Sequence, residues 1–134
     1  MGIRRKYILS ITLILCCLFQ ALGQDVKGLF DEGKALFDKG QYALALGKFA
    51  PLTSLNQSND MVKYASYYYA ISAHKSGDNV AAKNMFLQVM QKYPGWEVKD
   101  DVNYWLGFLA ADRGDLDEVF SYLAKVKNVE SEQI

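Results

Sequence analysis

From Asp25 onward, apolar residues recur with the period of a helix, and strand-like alternation is absent. The pattern predicts six helices. The first spans about Val26–Lys39, with Leu29, Phe30, Gly33, Leu36 and Phe37 on one broad stripe, and Gly40 ends it. Gln41-Tyr42 opens a second helix whose Leu44, Ala45, Leu46 and Phe49 face inward. Pro51 lacks an N–H and crowds the carbonyl of the preceding turn, so it is expected to end or kink that helix. Thr53–Asp60 is polar and reads as a loop. A third helix over about Met61–Ser76 runs into Gly77-Asp78. Asp78 is the expected N-cap of a fourth, about Asn79–Tyr93, which Pro94-Gly95 closes. A fifth covers about Lys99–Arg113. Gly114-Asp115 repeats the earlier turn, and Asp115 with Glu118 makes a capping-box-like start for a sixth helix reaching about Lys127.

The turns are periodic. Gly40, Gly77 and Gly114 stand 37 residues apart. Seven residues before each glycine is Gly33, Ala70 or Gly107; five after is Ala45, Ala82 or Val119; nine after is Phe49, Phe86 or Leu123. Small before the turn, small after it and large further on is what a closely packed antiparallel helix pair demands when it also stacks on its neighbours. On these residues, with Tyr42 and Pro94, the chain resembles the tetratricopeptide repeat family. Val119 departs from its expected alanine, and the 37-residue period exceeds the family's usual repeat of about 34. The stretch Phe86–Pro94 looks most like repeats of bacterial cell-envelope proteins. The fold class implied is all-α: a tetratricopeptide-like α-solenoid of three antiparallel helix pairs, with units at about 26–60, 61–97 and 98–127.

The first residues read as an address. Arg4, Arg5 and Lys6 precede an almost unbroken apolar run, Tyr7–Phe19, and Ala21-Leu22-Gly23 supplies a small-residue cleavage site. Residues 1–23 are therefore expected to be a signal peptide, with Gln24 the first mature residue and a periplasmic or cell-envelope destination. The run is shorter than the roughly 20 residues of a membrane span, so no stable membrane insertion is expected after cleavage; an uncleaved anchor is the alternative. Cys16 and Cys17 both lie in this segment, which leaves the remainder without disulfide or thiol chemistry. Removing its three basic residues changes the balance from 15 basic and 15 acidic to 12 and 15. Such a mildly acidic module lacks the concentrated basic face that nucleic acid requires. Residues 128–134 form a polar tail.

The resemblance implies a concave groove lined by the first helix of each unit. Carried over position by position, it contains Phe30, Lys34 and Phe37, then Tyr64, Tyr67, Ile71, His74 and Lys75, then Tyr104 and Phe108, with Asp101 and Asp112 at the edges. Aromatic side chains give contact area at low rotamer cost, and lysines meet carboxylates, so a protein or peptide is the expected partner. Some of Tyr64, Tyr67, Tyr68 and Tyr69 must instead pack, because together they occupy more than one helix face.

Other chemistry is sparse. His74 is the sole histidine, whereas zinc needs about three or four ligands, and no serine or cysteine partners it for nucleophilic catalysis. Asp112, Asp115, Asp117 and Glu118 lack the spacing of a calcium loop and suit the start of the sixth helix. No catalytic residue, metal or cofactor is expected. Trp105 reads as buried, and Trp96 as packed beneath its turn. The alternatives are a glycan-binding module, with Tyr67, Tyr104 and Trp96 stacking on sugar rings, and a regulatory N-terminal module of a larger periplasmic protein. The sixth helix also carries Phe120 and Leu123 on a face after which only the short polar tail is read. That face is a candidate end contact for self-association or a second domain.

Overall fold

The computed structural model describes residues 26–127, and these are all-helical, with no strand among them. The expected signal peptide and the polar tail lie outside the described residues. The helices are α1 (26–38), α2 (Tyr42–Thr53), α3 (Asp60–Lys75), α4 (Asn79–Lys92), α5 (Lys99–Asp112) and α6 (Leu116–Leu123). Each of α2 to α5 packs against the helix that follows it.

The three turn glycines adopt the left-handed conformation, with φ of 71°, 89° and 73° at Gly40, Gly77 and Gly114. Only a residue without Cβ does this at no steric cost. Each turn closes with the same pair of bonds. Gly40, Gly77 and Gly114 donate to Phe37, His74 and Ala111, and the next residues, Gln41, Asp78 and Asp115, donate to Leu36, Ala73 and Ala110. This is the Schellman closure, which satisfies carbonyls that the helix end leaves orphaned. The sequence period is thus a structural one.

Side-chain capping explains where α3, α4 and α6 begin. Asn59 accepts from Val62 N at 2.9 Å, Asp78 from Ala81 N at 2.9 Å and Asp115 from Glu118 N at 3.1 Å. The Asp115 box is half made, since the Glu118 carboxylate pairs with Lys83 and Arg113. Two expectations need correction. Pro51 does not end α2: it lies exposed in the last turn, where the helix loses one bond yet reaches Thr53. Thr53 and Ser54 hydroxyls then donate to the Ala50 and Pro51 carbonyls. Helix α6 stops at Leu123, short of Lys127. Tight turns follow, and the Lys127 N–H is pinned to Asp100 Oδ2 at 3.1 Å.

The core is built around the residue nine after each of the first two turn glycines. Phe49 and Phe86 are fully buried, each beside a small residue of the first helix in its own pair. A Cβ on Gly33 would stand 2.6 Å from Phe49 Cε1, and one on Gly107 would stand 3.1 Å from Leu123 Cδ2. Close approach, then, is why those positions are small. Gly33→Ala is expected to cost about 1–3 kcal/mol through overpacking, because the Phe49 ring has no space to retreat. Gly47→Ala adds a Cβ that meets nothing within 4 Å and is expected to stabilise α2 by about 0.5–1 kcal/mol. Urea denaturation of the two variants checks the contrast; equal effects would mean that Phe49 yields freely.

Candidate functional site

Aromatic side chains bridge the first helices of successive pairs. Tyr68 on α3 reaches Phe30 and Phe37 on α1, with ring centroids 6.5 and 4.9 Å apart. His74 on α3 reaches Trp105 and Phe108 on α5, at 5.6 and 5.3 Å. The side chains that remain accessible along these helices form the candidate surface.

Not every expected groove residue is on it. Tyr67 is only 1% exposed, set edge-on to Phe86 at 6.1 Å and to Trp96 at 6.2 Å. Ile71 is likewise in the core, and so is Asp101, expected at the rim. The reason is register. Tyr67 stands ten residues before its turn glycine, as Phe30 does, and that position faces the second helix of its own pair. Phe30 accordingly sits 6.2 Å from Phe49 and is half-buried. Tyr104, the third member of this register, is half-buried edge-on to Trp105 at 6.1 Å.

The remaining expected residues keep part or all of their surface accessible. Lys34 is half-buried, with Nζ 5.8 Å from the Phe37 centroid and 5.2 Å from that of Tyr68, and it pairs with Asp38. Tyr64 donates its hydroxyl to Glu97 at 3.1 Å and sets its ring 4.9 Å from Trp96. His74 Nδ1 lies 2.7 Å from Asn79 Oδ1, so that nitrogen carries the proton. Asn79 Nδ2 in turn donates to the exposed Asp112 at 3.5 Å. Lys75 is exposed, with Nζ 5.9 Å from the Trp105 ring. Phe108 shows 41% of its surface to solvent. At the far end, Phe120 and Leu123 are exposed on α6.

Tyr68 is the residue that sequence reasoning missed. It stands nine before its turn glycine, the register of Trp105, and both rings turn toward the preceding pair. That shared spacing was the available signal. Burial lifts the Tyr68 hydroxyl above the ordinary phenol range, against a downward pull from Lys34. Tyr64 is raised too, first by burial and then by its bond to Glu97.

Elsewhere the surface offers a shallow cleft of about 520 Å³ where the 54–59 loop meets the 94–97 turn. Lys63 and Lys92 hold their ammonium groups 5.8 and 5.5 Å from the Tyr93 centroid at its wall. Trp96 packs beneath the turn and is buried. Among the described residues, no group of three or more His, Cys, Asp or Glu side chains is placed to hold a metal ion. The acidic cluster at α6 is accounted for in part by the Asp115 cap and the Glu118 ion pairs. No protein-family model, curated protein or solved structure matches the chain.

The raised Tyr68 value has a consequence for stability. The folded state keeps this phenol protonated to higher pH than the unfolded chain does, so its contribution is full below about pH 10 and falls as pH rises through the folded value. Thermal melting followed from about pH 8 to about pH 12 should therefore decline, and Tyr68→Phe should flatten part of that decline. An unchanged slope in Tyr68→Phe would show that its hydroxyl is solvated.

Proposed function

We infer that this is an exported tetratricopeptide-like protein that binds a segment of another protein along the surface of its first helices. The observation that carries this reading is the strip of accessible side chains crossing α1, α3 and α5: Lys34 and Phe37, then Tyr64, His74 and Lys75, then Phe108. Rings anchored by neighbouring rings lose little freedom on contact, and such aromatics often dominate binding energy. Lys34 and Lys75 are held over ring faces, which poises two cations to meet carboxylates. The partner that suits the strip is an extended or helical segment carrying apolar and acidic side chains. Binding is stoichiometric and involves no catalytic step.

Supporting the family reading are the three identical turn closures and the small-to-large packing register within the pairs. Export rests on the basic, apolar and small-residue layout of the first 23 residues, and the destination proposed is the cell envelope. No helix among the described residues is long and apolar enough to cross a membrane. A sugar-stacking site at Tyr67, Tyr104 and Trp96 is disfavoured, because Tyr67 and Trp96 are buried and only Tyr104 keeps part of its ring accessible.

Photo-crosslinking residues placed at Phe37 and Phe108 in the native host test the reading, with Leu87 on the exposed side of α4 as control. One discrete protein adduct shared by Phe37 and Phe108 and missing from Leu87 is expected. No adduct, or the same adduct from Leu87, would sink the strip as a site. Phe108→Ala is expected to weaken the captured segment's binding at least about tenfold, the scale of a central aromatic anchor, with a smaller loss of thermal stability because the ring also packs on His74 and Trp105.

A further inference from the structure

The ring nine residues after the turn glycine is covered from two sides in the first two pairs. Phe49 lies between Phe30 of its own pair and Tyr68 of the next, and Phe86 lies between Tyr67 and Trp105 in the same way. Leu123 holds that position on α6, and no helix follows it among the described residues. It is 42% exposed, where Phe49 and Phe86 are 0%. Leu116 and Phe120, at 65% and 69% exposed, continue the same stripe at helical spacing. Val119 and Tyr122 are the half-buried apolar side chains of this helix. Leu123 also rests on Gly107 of α5, so the stripe from Leu116 through Phe120 to Leu123 borders that contact and is the apolar side of α6 left open to solvent.

The opposite end of the molecule does not fit this face. In a head-to-tail contact, α1 of another copy would bring Asp31 to the covering register, beside Lys27 and Asp38, all exposed and ion-paired along α1. Burying that carboxylate against Leu123 would be costly. A contact of α6 with itself carries no such burial. We propose that two copies of the chain associate through an antiparallel α6–α6 contact around a two-fold axis, each Phe120 lying on the other copy's Leu123. The ring that the third pair lacks is then supplied by the second copy.

Charge follows the same register. Setting Phe120 against Leu123 brings the Asp117 end of each helix to the Lys125 end of the other. Among the described residues neither Asp117 nor Lys125 has an ion-pair partner, whereas Glu118 is already held by Lys83 and Arg113. Antiparallel alignment also sets opposite helix ends together. One short helix offers far less than the roughly 800 Å² per partner of a standard stable interface. The dimer is accordingly weak and concentration-dependent.

Sedimentation equilibrium of the full chain, from about 1 µM to about 1 mM, spans the range such an interface needs. A monomer–dimer equilibrium is expected, with Phe120→Asp weakening it at least about tenfold. Asp117→Lys should weaken it severalfold, and adding Lys125→Asp should restore it. All three side chains are exposed, so unchanged melting of each variant confirms that unit three is folded. A monomer throughout the range would overturn the proposal and leave the face to another segment or another protein. A dimer indifferent to Phe120→Asp, or a double charge reversal that fails to restore association, would overturn it equally.

Discussion

The structure depends on one interaction, the enclosure of a ring between two neighbours drawn from different helix pairs. Tyr68 lies 5.9 Å from Phe49 with planes 23° apart, and Trp105 lies 6.2 Å from Phe86 at 11°. The opposite side of each ring is met by Phe30 or Tyr67 in a tilted or edge-on pose. Each such pair contributes about 0.5–1.5 kcal/mol beyond its buried area, and burying the phenylalanine itself contributes about 1.5–3 kcal/mol. Because one wall comes from the same pair and the other from the next, neither pair completes its core alone. The folding of units is thereby coupled to their nearest neighbours, the behaviour expected of a stacked array. The enclosure also dictates composition at a distance in sequence, since Gly33 must lack a side chain for Phe49 to enter at all.

The two ends of the array follow from the same rule applied where a neighbour is missing. The first pair has no predecessor among the described residues, and the position that would reach back holds Asp31, charged and ion-paired to Lys27. The third pair has the residue that should be covered, Leu123, and an apolar stripe leading up to it. One end is polar and the other is not. A first face complementary to the last would favour head-to-tail growth into filaments, whereas the charged first face disfavours that addition.

How far the sequence revealed this is a matter of which positions are unique. Gly40, Gly77 and Gly114 each satisfy a backbone requirement that other residues meet only at a cost, so their spacing located the turns directly. The small residues at Gly33 and Ala70 and the rings at Phe49 and Phe86 were legible for the same reason. The tyrosine run was not, because Tyr67, Tyr68 and Tyr69 are chemically alike and turn by about 100° per residue around the helix. Tyr67 went into the core and Tyr68 between pairs, and only the recurrence of Trp105 in the Tyr68 register separates them. The length of α6 was hidden differently. Ala124 and Lys125 are good helix formers, and the stop comes from tight turns and the bond between Lys127 and Asp100, a partner remote in sequence.

The accessible side chains and the enclosed rings meet at the joints between pairs. Phe37, Lys75 and Phe108 keep accessible surface, yet each touches a ring of the neighbouring pair: Phe37 reaches Tyr68, Lys75 reaches Trp105 and Phe108 reaches His74. Tyr68 is held more tightly still. Its ring closes over Phe49 while the Lys34 ammonium lies 5.2 Å from its centroid at the surface. A contact that draws Lys34 toward a carboxylate therefore acts on the same ring that binds the first pair to the second. Coupling of this kind is local and rests on a single shared side chain. Any group that met Lys34 would thereby act on the ring that joins the first two pairs.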